Sequence, residues 1–245
     1  MIVYIYDGTF DGLLSCIYEA YYRHENPYDI VPVDRLEDNF LLQRYIIKTK
    51  VENAEKVYKS IEEKISPEAL RRVFYGFLSE LPGSGKVILD YLRVGFKLGR
   101  SVDDNLANDA VLAMTKLCQK VSGERHAMLG LLRFKMLENG ILYAEYEPQY
   151  NITGLIAPHF TSRISNENWI IHDIKRNIAA FYNKKEWIIR ELELENELVI
   201  HEDEEEYQEM WKSYYKHISI ASRKNLRLKK NHMPMKYWKH LVELK

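Results

Sequence analysis

The stretch APHFTSRISNENWIIHDIKR, residues 157–176, gathers two imidazoles (His159, His172), two guanidiniums (Arg163, Arg176), a carboxylate (Asp173) and an indole (Trp169) among Ile and Phe. Imidazoles and carboxylates move protons in general acid–base catalysis. Guanidinium forks hold phosphates or carboxylates in two-point contacts. On a helix, His159 and Arg163 stand four apart and share a face. On a strand, Trp169, Ile171 and Asp173 share one face, with Ile170, His172 and Ile174 on the other. Both faces carry bulk, so a central strand is expected, with Asp173 near a buried end. A buried carboxylate needs a partner, and Arg176 or Arg163 would serve. That favours a structural Asp173 and leaves Arg163 and Arg176 as the residues expected to touch a ligand. His159, Asp173 and Asp7 remain the catalytic candidates, with Asp11 a further carboxylate near Asp7.

Other cations keep this stretch company. GERHAMLGLLRF, residues 123–134, brings Arg125, His126 and Arg133 around an apolar turn. They suit either an anion or the carbonyl end of a helix. The tail SRKNLRLKKNHMPMKYWKHLVELK holds Arg223, Lys224, Arg227, Lys229 and Lys230 with Tyr237 and Trp238. Cations that track a phosphate backbone, with rings on which bases stack, are what single-strand recognition and flipped-base recognition use. The same Met, Pro and aromatic residues would also fasten a last helix to the body. Both roles are open.

Several chemistries find no support. LPGSGKVIL, residues 81–89, is no phosphate loop of the Walker type: the position needing the first Gly is Glu80, and Lys86 is followed by Val87. Cys16 and Cys118 are far apart and make neither a CxxC nor a metal-ligand spacing, so no zinc site or iron–sulfur cluster is expected in this chain. No order of Ser or Cys with His marks a nucleophile. No apolar run approaches the ~18 residues that span a bilayer, and the acidic opening MIVYIYDGTFDG is unlike a signal peptide. A cytoplasmic protein without membrane contact is expected.

The elements that must position these residues read as α+β. MIVYIYD is a strand, DGTFDG a turn, and FDGLLSCIYEAYYRH a helix with apolar residues at helical spacing. Residues 50–122 read as helical, with Ser66-Pro67 starting one helix, Asp103-Asp104-Asn105 opening another and Gly123 stopping it. Residues 131–148 form a hairpin around Glu138-Asn139-Gly140. ITGLIAPHFTSRI is a helix that Pro158 kinks or restarts. WIIHDI is a strand, and a second hairpin turns at Asn183-Lys184-Lys185. The expected architecture is an N-terminal βα unit with a helical region, a central antiparallel sheet with a packed helix, and a helical basic C-terminus. One domain over 1–245 is expected, with sub-regions 1–122, 123–200 and 201–245.

Charge is unevenly spread. The net charge is −1, yet residues 191–209 hold ten acids and no Lys or Arg, while residues 212–245 hold ten Lys or Arg and one acid, Glu243. Such asymmetry marks a nucleic-acid or partner surface, or two blocks that neutralise each other within the fold.

YDGTFDGLLSCIYEAY, ERHAMLGLLRF, YAEYEPQYNI, HFTSRI with NWIIHDIKR, and the ending WKSYYKHISIASRKN with HMPMKYWKHL together resemble the DUF4130 family. The resemblance implies a role in DNA metabolism. Such proteins are typically encoded beside a radical SAM protein described as a DNA modification or repair enzyme, and a similar module occurs fused to a uracil-DNA-glycosylase-like domain. The family-like positions are Asp7, Gly8, Phe10, Gly12, Arg125, Arg133, Phe134, His159, Phe160, Arg163, Trp169, Asp173, Arg176, Trp211, Arg223, Pro234 and Trp238. In fused modules the place of His159 can hold Phe and that of Asp173 Thr, which argues against a shared His/Asp dyad.

The leading expectation is a DNA repair or modification accessory protein. It would bind DNA or a damaged base through Arg125, Arg133, Arg163, Arg176, Arg223, Lys224, Arg227 and Trp238, and deliver it to a radical SAM partner. That partner would carry the iron–sulfur cluster and SAM, with no cofactor in this chain. The alternatives are a nuclease or glycosylase-like enzyme, and a scaffold that binds proteins through its acidic segment and basic tail.

Overall fold

IVYIY supplies β-branched and aromatic residues without interruption, as a strand buried on both faces requires, and it forms β1 (Ile2–Tyr6). The computed structural model describes residues 1–36, 42–194, 198–223 and 225–244. Two compact units divide the chain, Met1–Ser122 and Gly123–Lys245.

In the first unit, Thr9 caps α1 (Phe10–Tyr22) by accepting the Gly12 N–H at 2.9 Å. The chain returns as β2 (Asp29–Pro32), parallel to β1, and later as β3 (Gln43–Ile46), parallel to β1 on its other side. The strand order is therefore β2-β1-β3. Helices α2 (Val51–Lys64), α3 (Pro67–Leu78) and α4 (Ser84–Leu98) add to the core, where Tyr4, Leu13, Ile17, Ile61, Ile88 and Leu92 are buried. Ser66 caps α3 at the Ala69 N–H, and Pro67 occupies the first helical position. Gly85 lets α4 lie against β2, since a Cβ there would sit 2.2 Å from the Ile30 carbonyl oxygen.

Two helix boundaries differ from the sequence reading. Asp103 lies in a 3-10 turn (Gly99–Asp104) and accepts the Tyr91 hydroxyl at 2.9 Å, with the Arg72 Nε at 3.2 Å. Occupied in this way, it opens no helix; α5 begins instead at Asp109, after Asn108 accepts the Ala110 N–H. Nor does Gly123 end α5, which runs from Asp109 to Leu131. Burial of Glu124, Met128 and Leu131 beyond it offsets the ~1 kcal/mol that an interior glycine costs.

The second unit holds a five-stranded sheet of order β4-β5-β6-β7-β8. Its strands are β4 (Lys135–Met136), β5 (Leu142–Tyr146), β6 (Trp169–Asp173), β7 (Ile178–Tyr182) and β8 (Trp187–Glu191). The expected hairpins are present at Asn139-Gly140, where Gly140 takes φ +76°, and at Asn183–Glu186. The sheet is mixed rather than wholly antiparallel, because β5 and β6 run parallel. The helix between them, α6 (Thr153–Arg163), carries the chain back across the sheet, and such a crossover returns a strand in the same direction. β6 is the central strand and buries Trp169, Ile171, His172 and Asp173. After β8 come α7 (Glu204–Ile218), α8 (Leu226–His232) and a 3-10 turn over Met235–His240. Among the described residues, no helix is long and apolar enough to cross a membrane.

Candidate nucleic-acid interface

α7 is arranged by charge. Glu204, Glu205 and Glu206 stand in its first turn and Lys216 in its last, each sign opposite the helix pole it meets. Glu204 is buried, accepts the Met136 N–H at 2.8 Å and ties the start of α7 to β4. Beyond that anchor the helix is mostly exposed. Tyr207, Met210, Trp211, Tyr214 and Ile218 recur at helical spacing and are all exposed, Tyr214 at 55%. They form an apolar, ring-bearing stripe that is covered in part at Trp211 and otherwise open to solvent.

Cations stand along the same segment. Residues 210–230 contain no acid and seven Lys or Arg, of which Lys224 lies outside the described residues. Lys212, Lys216, Arg223, Arg227, Lys229 and Lys230 make no ion pair among the described residues. Lys229 Nζ instead sits 5.5 Å from the ring centroids of both Tyr215 and Trp238. Asn225 caps α8 at the Leu228 N–H, and Trp238 donates its indole N–H to the Met233 carbonyl at 2.7 Å. Lys236 and Lys239 are committed elsewhere, to Glu124 and Glu147. The residual positive charge therefore concentrates between Lys212 and Lys230.

The arginines outside the tail are differently employed. Arg133 grips the buried Glu243 with two bonds, 2.6 Å from Nη2 and 3.3 Å from Nε, and lies 5.3 Å from the Trp211 ring centroid. Trp211 also donates to Glu243 at 2.9 Å. Arg176, expected to touch a ligand, is largely buried: its Nη1 meets Asp173 at 2.8 Å, and it caps the carbonyls of Pro148 and Gln149. Arg125 donates Nε to the Leu155 carbonyl. Arg163 is exposed in the last turn of α6 and has no partner among the described residues. Arg133 is thus brought to the tail as a structural anchor, while Arg125 and Arg176 serve other joints.

Among the acid–base candidates, Asp173 and Asp7 are each held by local partners. Asp173 is wholly buried, and besides Arg176 it accepts the Lys175 N–H at 3.1 Å. Burial raises its pKa, opposed by Arg176. No hydrogen bond joins it to His159 among the described residues. His172, on β6, shares a hydrogen bond between its Nδ1 and the Tyr143 hydroxyl at 2.7 Å, and burial lowers its pKa, so the ring is neutral near pH 7. Asp7 lies in the other unit, where its carboxylate accepts the Thr9 N–H, the Thr9 hydroxyl and the Thr49 hydroxyl at 2.6–3.0 Å. Burial acts to raise its pKa, but these bonds outweigh burial and hold it below the ordinary value. Among the described residues, no group of three or more His, Cys, Asp or Glu converges as a metal site.

One residue that the sequence reading passes over does much of the organising. Glu124 is buried and accepts the Gln149 N–H at 2.9 Å, the Tyr150 N–H at 2.8 Å, Lys236 Nζ at 2.9 Å and a short bond from the Tyr237 hydroxyl. Burial would raise this carboxyl, yet the four donors hold it below the ordinary value. An acid between a glycine and an arginine in a helix carries no local signal of such a role.

A model of a family described as a domain of unknown function, DUF4130, matches residues 82–243. The chain belongs to that family. No curated protein matches it. The DUF4130 match opens at Pro82, in the turn before α4, and closes at Glu243, the carboxylate held by Arg133. It therefore takes in α7, α8 and both carboxylate anchors, while β1–β3 lie before it.

Proposed function

We propose that this DUF4130 protein is a DNA repair or modification accessory protein that holds single-stranded or damaged DNA on α7 and α8. The observation that carries the reading is the set of cations between Lys212 and Lys230 that lack carboxylate partners among the described residues, on a segment that also carries the exposed Tyr214 and the half-buried rings of Tyr215 and Trp238 near Lys229. A phosphate backbone would supply the missing counter-charge. Tyr207 and Tyr214 offer planar faces to unpaired bases, each stack being worth about 1–3 kcal/mol. The resemblance supports the wider setting: a radical SAM protein as partner, with the iron–sulfur cluster and SAM held there.

Fluorescence anisotropy with a labelled single strand and its duplex tests this reading, with tighter binding of the single strand expected. Absence of binding to either at ~50 mM salt, where phosphate contacts are strongest, overturns it. The exposed Met210 and Ile218 favour a second reading, in which the stripe docks a protein. Co-purification of the radical SAM partner after nuclease treatment, with no DNA binding by the chain alone, would favour that reading.

A further inference from the structure

The first unit contains a cavity of about 590 Å³, within the range of small-molecule sites. It runs along β2, passes the carboxyl end of β1 at Tyr6 and Gly8, and is bounded on one side by Phe77 and the turn from Glu80 to Ser84. We propose that it is a binding site for a ribonucleoside. This proposal does not rest on DNA binding by the tail.

Topology supports the location. β1, α1 and β2 form a parallel βαβ unit, and the chain then crosses to the far side of β1 to make β3. Open α/β sheets bind ligands outside the carboxyl ends of their strands, and the cavity reaches that end of β1 at Tyr6 and Gly8 and that end of β2 at Pro32, on the β2 side of the sheet. In nucleotide-binding units of this type, an acid at the end of the second strand takes the ribose hydroxyls. Asp34 stands in that position, two residues beyond β2.

The immediate surroundings fit. A Cβ on Gly8, at φ +85°, would lie 3.9 Å from Asp34 Oδ1, so the backbone of the first turn runs beside the carboxylate. The Asp34 side chain is 65% exposed, with Arg35 Nε at 3.7 Å, which leaves room on the carboxylate for hydroxyl donors. Arg35 reaches across to the Glu80 carbonyl at 3.0 Å and the Glu80 carboxylate at 3.2 Å, fixing the far wall. Glu80 holds φ +52°, an unfavourable conformation for a non-glycine residue. Val3, Phe77 and Leu81 supply an apolar wall against which a base can lie.

Charge separates a nucleoside from a nucleotide. Asp29, Asp34 and Glu80 face the cavity against one guanidinium, Arg35, so a phosphate meets net repulsion. At the start of α1, Thr9 accepts the Gly12 N–H and the Asp7 carboxylate accepts the Thr9 N–H, so an incoming phosphate meets a carboxylate there as well.

Isothermal titration of the full chain with adenosine, guanosine, cytidine and uridine tests the site, together with their 2′,3′-dideoxy forms and 5′-monophosphates. At least one ribonucleoside is expected to bind with Kd below ~1 mM, with its dideoxy form and its monophosphate each weaker by about tenfold. Asp34→Asn should lose about tenfold in affinity with an unchanged melting temperature, while Asp104→Asn binds as the parent does. The proposal is overturned if no ribonucleoside binds, if the dideoxy form or the monophosphate binds as well as the nucleoside, or if Asp34→Asn leaves affinity unchanged.

Discussion

Glu124 and Glu243 hold the C-terminal segment from two sides, each as an ionised carboxylate inside the fold. Glu124 takes four donors and Glu243 takes Arg133 and Trp211. Removing Glu124 leaves the Tyr237 hydroxyl and two backbone N–H groups without this acceptor, and removing Glu243 leaves the largely buried Arg133 without its carboxylate, the costly half of such a contact. Glu124→Ala is therefore expected to destabilise the protein by about 3 kcal/mol, read as a lower urea midpoint. Both carboxyls have folded pKa values below the ordinary one: burial acts to raise each, and the donors overcome it. Their stabilisation is complete above the unfolded value of about 4.3 and is lost as pH falls through the folded values. Melting temperature should accordingly drop as pH falls below about 4.3, and less steeply in Glu124→Gln. Equal acid sensitivity of that variant and the parent would contradict the assignment of Glu124.

At the level of elements, two glycines in helices make opposite predictions. Gly85 faces the Ile30 carbonyl so closely that Gly85→Ala must push α4 from β2, at a cost of about 1–3 kcal/mol. Gly123 lies inside α5, and a Cβ added there would meet nothing within 4 Å, so Gly123→Ala should raise stability by up to about 1 kcal/mol. Chemical denaturation of the two variants checks both signs. The same elements show what local sequence can carry. β1, α1, α6, both hairpins and the central β6 are legible because each has a long periodic run or strong turn residues. β2 and β3 are not, being four residues each, with Pro32 at the end of β2, and stabilised by pairing with β1. The pairing of Asp173 with a nearby Arg is legible from burial alone, and the structure supplies Arg176. The cavity beside β2, by contrast, depends on which strands become neighbours, and no local pattern encodes that. Glu124 and its donors are separated by as many as 113 residues, beyond the reach of any periodicity.

At the scale of the chain, residues 191–209 hold ten acids and residues 212–245 ten cations, and among the described residues no ion pair joins the two sets. Glu243, the one acid of the tail, is consumed by Arg133, and Lys236 and Lys239 by Glu124 and Glu147. What remains is the positive run from Lys212 to Lys230 along an exposed aromatic helix. The most direct test is the salt dependence of single-strand binding in Arg223→Ala/Arg227→Ala, beside a charge-matched control, Lys97→Ala/Arg100→Ala, in the other unit. For a single strand each lost phosphate contact lowers the slope of log K against log salt by about 0.7, so the tail variant should lose about 1.4 and the control nothing. Equal slopes in the parent, the tail variant and the control would contradict a phosphate-tracking role for α7 and α8.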